Sequence, residues 1–104
     1  MKKYSLLLLI LVSLPAFSWD GSITGEIGRI QITAATNYGF RISLAGLPKP
    51  CGSNADWAYV SKDDTNYQSY LSALLAAKFA KSSVTLFSNK DTSDYCKIGH
   101  IYIN

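Results

Sequence analysis

Few side chains here have the types and spacing that chemistry requires, and the two cysteines are the clearest. Cys51 and Cys96 lack the Cys-x-x-Cys spacing of a redox pair, and neither stands beside a helix start that would lower its thiol pKa. In an oxidising compartment an even, small number of cysteines reads as one structural disulfide. Such a bridge closes a loop of about 46 residues and removes roughly 4 kcal/mol of chain entropy from the unfolded state. His100 is the only imidazole. It falls in the last apolar segment without a Gly-x-Ser-x-Gly elbow or a readable carboxylate pair, so it reads as a structural histidine rather than a general base. Asp63, Asp64 and Asn66 resemble the start of a calcium loop, yet the glycine and closing glutamate of that loop are missing. Gly21, Gly25 and Gly28 are not the Gly-x-Gly-x-x-Gly phosphate fingerprint and lie on an extended segment. The sequence therefore assigns no catalytic residue, no cofactor site and no metal site. What remains is aromatic: Trp19, Tyr38, Trp57 and Tyr59 can stack on sugar faces or on a protein partner. Trp57 and Tyr59 read as packing residues, which leaves Trp19 and Tyr38 as the candidate ligand-binding residues.

The chain has 104 residues, 48% of them apolar and 16% charged, enough for one small domain. Residues 1 to 18 run from Lys2-Lys3 through the apolar stretch Leu6 to Leu14 to Pro15-Ala16-Phe17-Ser18, the order of a secretory signal peptide. Cleavage is expected after Ser18, with the Ala16/Phe17 bond as a weaker option. The apolar run is about half of the roughly 20 residues needed to cross a bilayer, and no later stretch is longer, so no membrane span is expected. Residues 19–104 are then a single exported domain, periplasmic or secreted. Without Lys2 and Lys3, the ten basic residues become eight against seven acidic ones, a net charge near +1. That small charge and the compartment argue against a nucleic-acid partner.

The elements that position these residues can be read from periodicity. Ile23, Gly25 and Ile27 share one parity while Ile30 and Ile32 share the other, so a strand over Ile23 to Thr33 must change its buried face, and Gly28 is suited to a β-bulge there. Asn37-Tyr38-Gly39 predicts a turn, and Phe40, Ile42 and Leu44 alternate with Arg41, Ser43 and Ala45 as the second strand of a hairpin. Gly46 to Asp56, with Pro48 and Pro50, is a loop, followed by a short aromatic strand over Trp57 to Val60. A helix follows: Thr65 and Gln68 suggest a capping box, and Tyr67, Tyr70, Leu71, Leu74 and Leu75 make an apolar stripe. Val84 to Phe87 and Cys96 to Ile103 are the last two strands.

The order β-β-β-α-β-β with a bulged first strand is that of a mostly β domain with one helix, a five-stranded OB-type Greek-key barrel with one disulfide; an unrelated α+β sandwich is the alternative. The mature start Trp19-Asp20-Gly21 leading into Ile23 to Ile32, Cys51 after strand two, the unit Tyr67 to Ala80 with Val84 to Phe87, and the ending Cys96 to Ile103 resemble the B subunits of AB5 toxins, particularly the subtilase-cytotoxin-like kind. The resemblance implies a homo-oligomeric ring of five subunits that recognises a glycan or cell-surface receptor and carries an exported catalytic partner chain. It carries over no sugar-contact residue. A non-catalytic binding module, without a cofactor, is the function expected. The alternative is a monomeric periplasmic domain that binds or inhibits another protein, and a secreted enzyme ranks third because the residue inventory is so poor.

Overall fold

Gly28 sets the course of the first strand. In the computed structural model, which describes residues 18–104, β1 runs over Gly21–Ile32. Its first half, Gly21 to Glu26, pairs antiparallel with β4 (Ser83–Lys90). Its second half, Ile27 to Ile32, pairs antiparallel with β2 (Phe40–Leu44), and the register slips between Ile27 and Arg29. The bulge expected at Gly28 is present, and the bend lets one strand serve two neighbours. A Cβ on Gly28 would sit 3.2 Å from the backbone of Ala45, so the close approach of β1 to the end of β2 favours a residue without a side chain. The expected leader, residues 1 to 18, lies outside the described residues except for Ser18.

The remaining pairings continue around the sheet. β2 runs antiparallel to β3 (Ala58–Val60). β3 meets β5 (Cys96–Ile103) in parallel through Ala58 with Cys96 and Tyr59 with Lys97, and β5 runs antiparallel to β4. The neighbour order β1-β2-β3-β5-β4 returns to β1, so the five-stranded sheet closes on itself. The single helix, α1 (Tyr67–Ala80), stands between β3 and β4 in the chain, as expected. It sets Leu74 and Ala77 into a core built from Ile27, Phe40, Ile42, Leu44, Val60, Val84, Leu86 and Ile98.

Three expectations need correction. The capping box is not formed: the helix starts from Asn66, which makes no side-chain cap bond. Asp64 instead accepts the Asn66 N–H (2.8 Å) and, through its carbonyl, the Tyr67 N–H (3.0 Å), closing the turn beyond Thr65. The apolar stripe extends past the buried face, since Leu75 is 37% exposed and the next residue on that flank, Phe79, is 86% exposed. Ile32 shares the parity of Ile30 but is 75% exposed, because β1 runs on beyond the core. A second bulge, unforeseen in the sequence, lies opposite Phe87 and Ser88: Phe87 pairs with His100 and Ser88 with Ile98, so Gly99 is the extra residue of β5.

The disulfide joins Cys51 to Cys96 with Cα atoms 5.7 Å apart, and both residues are fully buried. It ties the loop of Pro48 and Pro50 to the start of β5. The beginning of β1 packs directly on that loop: a Cβ on Gly21 would overlap the Pro50 carbonyl oxygen and lie 2.7 Å from Cys51 Cα. The Ser88 hydroxyl donates to the same Pro50 carbonyl (3.3 Å).

Candidate ligand-binding site

The two residues singled out for ligand contact, Trp19 and Tyr38, stand in different places and share Tyr59 as a neighbour. Tyr38 sits at the β1–β2 turn with a left-handed backbone (φ 65°), which aims its ring across the end of the sheet. There it contacts Tyr59, Tyr95 and Trp57 at centroid distances of 4.7, 5.0 and 5.5 Å. Trp57 is flanked by Tyr95, nearly parallel at 4.9 Å, and by the Arg41 guanidinium 4.1 Å from its ring centre. Arg41 is itself held by the Asn37 carbonyl, which accepts from Nε (3.3 Å) and Nη2 (3.0 Å). Tyr38 and Trp57 remain half-buried in this cluster and Tyr95 is 36% exposed. The cluster latches the hairpin turn onto β3 and the β4–β5 turn.

Asp91 anchors this latch from the other side. One carboxylate oxygen accepts the Tyr59 hydroxyl (2.7 Å), and the other accepts the N–H groups of Ser93 (2.8 Å) and Tyr95 (3.0 Å). Partial desolvation opposes the charge on Asp91, but these three donors and the nearby Lys97 outweigh it and hold the carboxyl below its ordinary value. Burial, with the hydrogen bond to Asp91, pushes the Tyr59 hydroxyl well above the usual phenol range. Tyr70 is also raised, first by desolvation and then by the charge of Asp64.

Trp19 is placed by the Gly99 bulge. Its six-membered ring covers Gly99 so closely that a Cβ there would lie 2.5 Å from Cζ3 and 2.8 Å from Cη2. The Gly99 carbonyl points to the helix, where it accepts the Tyr70 hydroxyl (3.0 Å). Asp20 fixes the chain beside Trp19: its N–H donates to Asn89 Oδ1 and its Oδ2 accepts the Lys90 N–H, both at 2.8 Å. The indole, 37% exposed, is thus held by a backbone clamp on one side and a bulged strand beneath.

A groove of about 520 Å³ opens beside it, lined by Trp19 and Tyr59 together with Lys90, Lys97, Asp64, Asp91 and Asn89. That volume lies in the range of small-ligand sites. The groove combines aromatic surface with two lysine ammonium groups, the Asp64 and Asp91 carboxylates and the Asn89 amide. The oxygens of these three acceptors already take internal donors, so a hydroxylated ligand would use their remaining lone pairs. Tyr38 instead lines a smaller recess of about 180 Å³ with Tyr59, Lys62, Asp63 and Tyr67. Of the residues that line this groove, Trp19 is a candidate from the sequence, whereas Lys90, Asp91, Lys97 and Gly99 carry no binding signal there. The Asn89 to Asp94 stretch reads only as a polar turn, and nothing in its composition signals that Asp91 binds Tyr59 from 32 residues away.

Among the described residues no group of three or more His, Cys, Asp or Glu side chains could hold a metal ion, and no helix is long and apolar enough to cross a membrane. No family model, curated protein or solved structure matches the chain.

Proposed function

We propose that the protein is an exported, non-catalytic binding module whose Trp19 groove recognises a glycan of a cell-surface receptor. The observation that carries this reading is the groove itself: about 520 Å³ with the Trp19 indole beside the clamped Asp20 and polar groups of both charges around it. Rings of this kind stack on the C–H face of a sugar while neighbouring polar groups bind its hydroxyls. Immobilising Trp19 beforehand lowers the ordering cost of binding. The strand order β1-β2-β3-β5-β4, the parallel β3–β5 pair and the helix between β3 and β4 support an OB-type Greek-key barrel, an architecture that presents ligands on its surface. The buried disulfide fits an oxidising compartment.

The ring assembly belongs to the same proposal. Leu75 and Phe79 lie one turn apart on a flank of α1 and are exposed, an apolar strip that a neighbouring copy would cover. An exported catalytic chain would sit on such a ring. Screening the mature protein and its Trp19→Ala variant against an immobilised glycan panel tests the reading. Binding by the first and its loss in the second are expected. Retention by the variant, or no binding across the panel, overturns the glycan reading. Light scattering on the same sample separates a pentamer from the monomeric periplasmic inhibitor that stands as the alternative.

A further inference from the structure

Trp19 also borders a second concavity, of about 430 Å³, lined by Trp19, Phe87, His100 and Tyr102. Phe87 and His100 are paired across β4 and β5 and meet edge to face at 5.2 Å. Together they form its floor. Tyr102 contacts both, at 5.4 and 4.9 Å and nearly perpendicular to each. Trp19 contacts both from the other flank, at 6.0 and 6.3 Å. The result is a notch walled by four rings, with Tyr102 54% and Trp19 37% exposed. No lysine, arginine or carboxylate lines it.

We propose that this notch binds a quaternary or fully methylated ammonium group. Ring faces carry the negative part of the aromatic quadrupole and attract a cation placed within about 6 Å. A primary ammonium or a sugar gives up hydration wherever an N–H or O–H turns toward ring carbon, and the only polar side-chain groups in the lining are the Trp19 N–H, the His100 imidazole and the Tyr102 hydroxyl. A trimethylammonium group has no such hydrogen to lose and meets the rings with C–H groups. The concavity of about 430 Å³ is larger than such a group. The two readings share Trp19, but Phe87, His100 and Tyr102 lie outside the groove, so a change at Tyr102 tests the notch by itself.

The test is a titration of the mature protein with choline and with its neutral isostere 3,3-dimethylbutan-1-ol, followed through the aromatic proton resonances of the four rings. Choline is expected to shift them saturably and to bind about tenfold more tightly than the isostere. The variant Tyr102→Leu, which keeps an apolar side chain but removes a ring face, should weaken choline binding several-fold, whereas Tyr102→Phe should retain it. Equal binding of the two probes would show an apolar pocket indifferent to charge and overturn the proposal. Absence of any saturable shift, or a Tyr102→Leu variant that binds choline as the wild type does, would overturn it too. Glycan binding measured on the same Tyr102→Leu protein should be unchanged, which separates failure here from failure of the groove.

Discussion

Replacing Gly99 by alanine would test the idea that a bulged strand positions Trp19. The added Cβ would lie 2.5 Å and 2.8 Å from two carbons of the indole, against an ordinary carbon–carbon separation of about 3.5 to 4.0 Å. The ring would have to retreat by roughly 1 Å while the Asp20 clamp holds the chain beside it. Overpacking costs about 1 to 3 kcal/mol where the neighbour cannot move, and the Asp20 clamp is what would keep this partly exposed indole from swinging aside. If Trp19 is first changed to alanine, the obstruction is gone, and Gly99→Ala should be neutral or stabilise by about 0.4 to 1 kcal/mol through its effect on the unfolded chain. The four proteins of this cycle, unfolded in urea and followed by far-ultraviolet circular dichroism, should therefore show a coupling of at least about 1 kcal/mol between the two sites. Additivity to within about 0.5 kcal/mol would refute the account of how Trp19 is held.

Other expectations follow from the same geometry. Asp91→Ala leaves the Tyr59 hydroxyl and two turn N–H groups without their acceptor and should destabilise the protein by about 1.5 to 3 kcal/mol, measured by urea denaturation at neutral pH. Because the folded state holds the Asp91 carboxyl below its ordinary value of 3.8, the unfolded chain takes up its proton first in acid. The stabilisation is complete only about one pH unit above that ordinary value, begins to fall as the unfolded carboxyl takes up its proton, and is lost as the pH falls through the lower folded-state value. Urea midpoints recorded from pH 6 downward should therefore fall through this range, and less steeply in Asp91→Ala; an unchanged slope would contradict the assignment. Gly21→Ala, whose Cβ meets the Pro50 carbonyl and Cys51 Cα, should cost about 1 to 3 kcal/mol or more, because the obstruction is backbone and cannot rotate away. The double variant Cys51→Ala, Cys96→Ala opens a bridge between residues 45 apart and should lose up to about 4 kcal/mol, visible as a lower thermal midpoint.

The physical pattern of the strands was legible because it is local. The parity change around Gly28 announces a bulge, and the alternation of Phe40, Ile42 and Leu44 announces a half-buried strand; both are present. The helix was legible for the same reason, while its start was not, because Asp64 competes with Thr65 for the turn that opens it. The Gly99 bulge escaped notice although Cys96, Ile98 and then Ile101 change parity across it in the manner of Ile27 and Ile30. The candidate site was the least legible part. Trp19, Asn89 and Lys97 are brought together by pairings between β1, β4 and β5, and no spacing along the chain encodes such a meeting. Tyr38 stands out in the sequence by its type and turn position, whereas the three rings and Arg41 beside it come from segments that no local spacing links to it.

The proposed groove is tested most directly by mapping backbone amide shifts on isotope-labelled protein of residues 19–104 as the glycans of the panel are added in turn. The account predicts the largest changes at Asn89 to Thr92 and Lys97 to Gly99, with a matching shift of the Trp19 indole N–H. Changes centred instead on Leu75 to Phe79, or around Tyr38 alone, would contradict it.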